Sequence, residues 1–216
     1  MSPIGRRGVE GQKRAPGSSG KRALVLGGVR SGKSEFAVRL ATSYGEPVLF
    51  VATASASDPE MATRIEAHRL ARPPNWSTVE APMGVGAAIR DQIGLARTLL
   101  LDCLSLLVAN CLLALVGSEA EPPAQIESAA AASAASRVGE EIDALLEAVS
   151  AARCHLVVVT SEVGLGVVPP YPAGRIYRDL LGLANQRVAR AVDAVYWVVA
   201  GVPVDLKRFT ASLDEQ

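Results

Sequence analysis

Five short apolar runs punctuate this chain of 216 residues: ALVLG (23–27), PVLFVAT (47–53), TLLLD (98–102), HLVVVTSE (155–162) and VYWVVAG (195–201). Each is too short for a helix and is bounded by turn-forming residues, so each predicts a strand. They read as continuous apolar stretches rather than alternating ones, which predicts strands buried on both faces. Between them, 34–43, 59–72, 138–150 and 176–192 carry the helical period. This alternation predicts βαβ units and an α/β fold, a mostly parallel sheet with helices on both faces. One run, LLLDCLSLLVANCLLALVG (99–117), is apolar enough to suggest a membrane span. It contains Asp102 and Asn110, and a central Asp alone costs roughly 2.5–3.5 kcal/mol in a bilayer. A buried strand entering a buried helix is the better reading, and no stable membrane insertion is expected.

Composition sharpens this picture in three places. Apolar residues make up 49% of the chain, which fits a globular body, and the length fits one domain over 23–216. Residues 1–22 hold six Lys or Arg against one acid and are rich in Gly, Ser and Pro, so they predict a disordered basic tail. Without that tail, 16 basic and 21 acidic side chains remain, a net charge of −5 that argues against a nucleic-acid partner. The low-complexity stretch 117–137, rich in Ala and Ser, predicts a variable surface excursion or a solvent-facing helix. Cys103, Cys111 and Cys154 are odd in number and lack C-x-x-C spacing, as expected of buried thiols in a cytoplasmic protein.

The first strand runs directly into GGVRSGKS, which matches G-x-x-x-x-G-K-[ST] with a strand before it and an amphipathic helix after it. Gly27, Gly28, Val29, Arg30, Ser31, Gly32, Lys33 and Ser34 therefore predict a phosphate cradle. Glycines let backbone N–H groups approach phosphate oxygens, and the following helix turns its positive end toward them. Lys33 reaches the β and γ phosphates, and Ser34 is a ligand for Mg²⁺. Asp102, ending TLLLD, is either the second metal contact or the cap of the next helix. Glu162, ending the fourth apolar run, is another strand-end carboxylate facing the same crevice.

The chain has only two histidines. Arg64, His68 and Arg72 are spaced i, i+4, i+8, so on a helix they share a face suited to polyphosphate. Positive neighbours disfavour the imidazolium and keep the ring neutral and nucleophilic near pH 7. Spacing alone leaves two readings of His68 open, a nucleophile or a polar side chain on an exposed helix. His155, at the start of a strand, reads as structural.

Several motifs in order, LVLGGVRSGKSEFA, VLFVATA, DPEMATRIEAHRLARPPNW, LLLDCLSLLVAN, VVVTSEVGLGVVP and RIYRDLLGLANQRVARAVDAVYWVVAGVPVDLK, resemble one family over about residues 22–207. It is the bifunctional adenosylcobinamide kinase and adenosylcobinamide-phosphate guanylyltransferase family of cobalamin biosynthesis. The resemblance implies a phosphate-loop domain of the RecA-like type with ATP and GTP as substrates. Adenosylcobinamide is phosphorylated on its aminopropanol hydroxyl, and GMP then passes from GTP through a histidine to adenosylcobinamide phosphate. The guanylylated histidine falls on His68. The nucleotide site covers the eight loop residues, Ala52, Thr53 and Ala54 after the second strand, Arg69, Leu70, Ala71 and Arg72 after the histidine, and Glu80 and Asp102. The resemblance also implies a cytoplasmic homotrimer. Two rivals stay in view: a kinase without guanylyl transfer, and a RecA-like ATPase.

Overall fold

The computed structural model describes residues 20–54, 73–116 and 128–209. The basic tail up to residue 19, the predicted helix 59–72 with His68, and residues 117–127 lie outside the described residues. Among the described residues, seven strands form one sheet in the order β3-β2-β4-β5-β1-β6-β7. They are β1 (Arg22–Gly27), β2 (Val48–Ala52), β3 (Ser77–Glu80), β4 (Thr98–Asp102), β5 (His155–Ser161), β6 (Ala194–Val199) and β7 (Val202–Asp205). All neighbours pair in parallel except β6 and β7, which form an antiparallel hairpin. The helices are α1 (Lys33–Tyr44), α2 (Val85–Gln92), α3 (Leu104–Val116), α4 (Ser128–Ala152) and α5 (Pro172–Ala191), and a 3₁₀ turn, Leu206–Phe209, follows β7.

The continuous apolar runs become two cores because strand side chains alternate across the sheet. Leu24, Leu49, Val51, Leu99, Leu101, Leu156 and Val158 point to the face covered by α2, α3, α4 and α5. Val25, Val48, Phe50, Leu100, Val157 and Val159 point to the other, where Ala37 and Ala41 of α1 pack on them. Each Leu or Val so buried contributes about 1.5–3 kcal/mol relative to exposure. A polar residue inside these runs would lie in one core or the other, which is why TLLLD and HLVVVT carry polar residues at their two ends and none between.

The second half of the Ala-rich stretch is the start of a long helix, one of the two readings its composition allowed. Residues 128–137 belong to α4, and Ala134 and Val138 are buried in the larger core. Between 131 and 137 only Ala134 is buried, and Ala132, Ser133, Ala135, Ser136 and Arg137 are exposed, so the segment is a largely solvent-facing helix anchored by one alanine. The Glu141 carboxylate of α4 accepts from the Gly84 and Val85 N–H groups at 2.6 and 3.0 Å. It thereby caps α2, whose own Gly84 has no side chain to do so. His155 accepts the Lys21 N–H through Nδ1 at 2.8 Å, and burial lowers its pKa, both consistent with a structural role.

The α2–α4 contact is tight enough to test. A Cβ on Gly86 would stand 2.6 Å from Ala144 Cβ and 2.7 Å from its carbonyl, whereas one on Gly182, inside α5, would meet nothing within 4 Å. Gly86→Ala is expected to destabilise the fold by about 1–3 kcal/mol through overpacking. Gly182→Ala is expected to stabilise it by about 0.4–1 kcal/mol by restricting the unfolded chain. Urea titrations of both variants check this, and equal effects would contradict the packing described.

Candidate active site

The loop between β1 and α1 is built to present its backbone. Arg30 and Gly32 adopt positive φ, 55° and 91°, backbone conformations of the kind found in anion-binding nests. The loop closes onto the helix through Phe36 N–H to Gly32 O at 3.0 Å. The Lys33 ammonium donates to Gly28 O at 3.1 Å, so the lysine arches over the loop. From the far side, Gly201 N–H donates to Ser31 O at 2.8 Å, tying the loop to the β6–β7 turn. Gly27 is needed at the root, since a Cβ there would stand 2.6 Å from both Ser31 Oγ and the Val198 carbonyl oxygen. Ser31 Oγ is buried and has no hydrogen-bond partner among the described residues. Gly27, Gly28, Val29, Arg30, Ser31, Gly32, Lys33 and Ser34 thus lie together as expected, with Val29 the most exposed of the apolar members.

Across the crevice, the ends of β2, β3 and β4 are stitched by polar groups. Thr53, fully buried, donates its hydroxyl proton to Cys103 O at 2.7 Å and accepts Cys103 N–H at 2.8 Å. The Asn110 amide of α3 donates to Thr53 O and Pro82 O, both at 2.9 Å, and Ala81 N–H donates to Ala52 O at 2.8 Å. Ala52, Thr53, Ala54, Glu80 and Asp102 are therefore held in one row at the C-terminal edge. The Cys103 thiol reports the charges around it: burial pushes its pKa up most, the Asp102 carboxylate pushes further, and the Ser105 hydroxyl and the Lys33 ammonium oppose. Lys33 and Asp102 thus act on the same point. His68, Arg69, Leu70, Ala71 and Arg72 lie outside the described residues.

The hydroxyl of Ser34 and the carboxylate of Asp102 are hard oxygen donors, the set Mg²⁺ prefers when it also binds phosphate oxygens. On that donor chemistry the residues present fit the ion.

Sequence reasoning passed over several groups that shape this edge. Asn110 drew notice only as a polar residue in an apolar run. Asn185 of α5 accepts the Thr160 hydroxyl at 2.8 Å and donates to Ser161 O at 3.1 Å, fixing the end of β5. Tyr177 donates to Ser105 O at 3.2 Å, and burial pushes its pKa up to about 12. A lone polar residue on an otherwise apolar helix face was the available signal in each case.

A phosphate loop after β1, with a carboxylate at the end of β4 and one strand, β5, between them, defines a RecA-like P-loop enzyme that handles nucleoside triphosphates. A model of the cobinamide kinase / cobinamide phosphate guanyltransferase family matches residues 23–206, and the chain belongs to that family. It is 39% identical over 186 residues to the bifunctional adenosylcobalamin biosynthesis protein CobP of Pseudomonas aeruginosa, covering 86% of this chain and 97% of that one. It is 39% identical over 184 residues to CobU of Salmonella typhimurium, of the same description, covering 85% and 98%. Among solved structures, a KaiC-like protein of Pyrococcus horikoshii matches with a TM-score of 0.42 and 14% identity, over 83% of this chain and 72% of that one.

Gly27→Ala tests the cradle. The Val198 carbonyl belongs to the sheet and cannot yield, so the loop must shift. GTP affinity is expected to fall at least about tenfold, or about 1.4 kcal/mol, by titration calorimetry. An unchanged Kd would mean that the loop root is not the constraint described here.

Proposed function

We propose that this protein phosphorylates adenosylcobinamide with ATP or GTP and then converts the product to adenosylcobinamide-GDP through a guanylyl-histidine. The observation that carries this reading is the 39% identity to bifunctional relatives over almost their whole length, with the phosphate loop in place. In the first reaction the aminopropanol oxygen bonds to the γ-phosphorus, and the β,γ-bridging oxygen leaves with the bonding pair. Lys33 neutralises charge on the transferred group, and the backbone donors of Gly27 to Ser34 hold the remaining phosphates. Bound Mg²⁺, held by Ser34 and Asp102, would supply further neutralisation of the phosphate oxygens.

In the second reaction a neutral imidazole nitrogen of His68 attacks the α-phosphorus of GTP, and pyrophosphate departs. A phosphate oxygen of adenosylcobinamide phosphate then attacks the same phosphorus, the N–P bond breaks, and His68 is regenerated. Arg64, Arg69 and Arg72, close to His68 in sequence, keep the ring unprotonated and bind phosphate. Glu80, at the end of β3, suits the N–H donors of guanine. The protein works in the cytoplasm as a homotrimer. Supporting self-association, Trp197, Val199, Val202 and Val204 form an exposed apolar face on the β6–β7 hairpin, because the pairs Trp197–Val204 and Val199–Val202 share one side.

Intact mass after incubation with GTP and Mg²⁺ tests the transferase half. The wild type is expected to gain a GMP-sized, acid-labile adduct, and His68→Ala is expected to gain none. A folded wild type that binds GTP but takes up no nucleotide would leave a kinase or an ATPase. ATP hydrolysis stimulated by DNA would favour the latter.

A further inference from the structure

Phosphorylation of a hydroxyl requires that a proton leave the attacking oxygen, and no group assigned so far receives it. Lys33 is a cation, and the rest of the cradle offers N–H donors and the Ser31 and Ser34 hydroxyls, none of which is a base near neutral pH. Three described carboxylates stand at the C-terminal ends of parallel strands: Glu80 on β3, Asp102 on β4, and Glu162 directly after β5. Glu80 belongs to the far edge of the sheet, two strands beyond Asp102. Asp102 has a role already, as the carboxylate suited to a metal.

Glu162 differs from both in where the sheet puts it. Strand β5 is the direct neighbour of the phosphate-loop strand, with Ser161 paired to Gly27, and Glu162 N–H donates to Gly27 O at 3.3 Å. On its other side, Val159 is the residue level with Asp102, so Glu162 lies three positions further along the strand direction. At about 3.3 Å per residue, that carries it roughly 10 Å further out from the sheet than Asp102. It thus reaches the level where the loop leaves Gly27 to surround phosphate. Its side chain is also held: Oε1 accepts Gly164 N–H at 2.6 Å, which leaves Oε2 without a partner among the described residues. Beyond it the chain changes character. Leu165, Val167, Val168 and Tyr171 are all exposed, so the carboxylate sits where the phosphate-binding edge gives way to apolar surface suited to a bulky acceptor rather than to a nucleotide.

We propose that Glu162 is the general base of the kinase half-reaction. Its Oε2 takes the proton of the acceptor hydroxyl as that oxygen bonds to the γ-phosphorus. The β,γ-bridging oxygen departs with its electron pair as ADP or GDP, and Glu162 later returns the proton to water. The guanylyl steps have no such demand. A neutral imidazole nitrogen attacks without losing a proton, and the phosphate of the second acceptor is already anionic. Glu162 is therefore needed in one half of the chemistry and idle in the other. This rests on the bifunctional reading above.

Glu162→Gln is the informative variant, because the amide oxygen still accepts Gly164 N–H while basicity is lost. Three single-turnover reactions are measured side by side: phosphorylation of adenosylcobinamide by ATP, self-guanylylation by GTP, and GMP transfer to preformed adenosylcobinamide phosphate. Phosphorylation is expected to slow by about 10²–10⁴-fold, with the two guanylyl steps at wild-type rates. Added formate is expected to restore part of the phosphorylation rate in Glu162→Ala and none in Glu162→Gln, where the amide fills the space. Near-wild-type phosphorylation by Glu162→Gln would overturn the proposal. So would loss of all three reactions together, which would mark Glu162 as a support of the loop. A wild-type enzyme that guanylylates itself but does not phosphorylate adenosylcobinamide would remove the kinase reading and this assignment with it.

Discussion

Parallel pairing of β1 with both β5 and β6 is the constraint from which the site follows. Parallel strands bring their C-terminal ends to one edge, and burial on both faces leaves that edge as the place where polar side chains can emerge. In β1, β4 and β5 the apolar run ends at the edge, in Gly27, Asp102 and Ser161. The same pairing sets heights. Gly27 is level with Ser161, and Asp102 with Val159, so the phosphate loop and Asp102 stand at different distances from the sheet. A one-residue slip of β5 would exchange its two core faces and displace every group beyond it.

The edge is also held from outside the strands. Asn110 reaches from α3 to the ends of β2 and β3, Asn185 reaches from α5 to the end of β5, and Gly201 reaches from the hairpin to the phosphate loop. Each bond joins backbone groups that the sheet ladder leaves unpaired at its rim, where an unmet polar group costs about 1–3 kcal/mol. The rim therefore has little freedom to rearrange, which suits a loop that must meet phosphate oxygens with fixed N–H groups.

The parts legible in the sequence were those with local signatures. Five strands showed as apolar runs, and the cradle showed because glycine spacing and the strand–loop–helix order are local. Strands β3 and β7 were not legible as part of the sheet, since STVE and VPVD are short and mostly exposed edge strands without an apolar run. Helix α2 was missed for a related reason: its cap, Glu141, lies 56 residues or more away. The second half of the Ala-rich stretch was legible as a solvent-facing helix, but its one buried residue, Ala134, was not, because the side of a uniform Ala/Ser helix that turns inward is set by the neighbours it packs on. Asn110 and Asn185 were visible as residues but not as linkers, because their partners are set by topology. Asp102 could be placed on its strand, but which strand stands between it and the phosphate loop is a property of the sheet order alone.

The two transfers attributed to this site place different demands on one cradle. Under the proposed function both bind a triphosphate, so the loop, Lys33 and Asp102 would serve either reaction without change. They differ in the nucleophile: a hydroxyl arrives with a proton that must go, whereas a neutral imidazole presents a lone pair at once. A single group tuned to help both would have to be a base for one and silent for the other. Dividing the work resolves this. In the proposed division, the cationic sequence around His68 favours the free imidazole, and the Glu162 carboxylate, directly after β5, meets the hydroxyl. On that proposal one phosphate-binding edge serves both reactions, and only the group that meets each nucleophile differs.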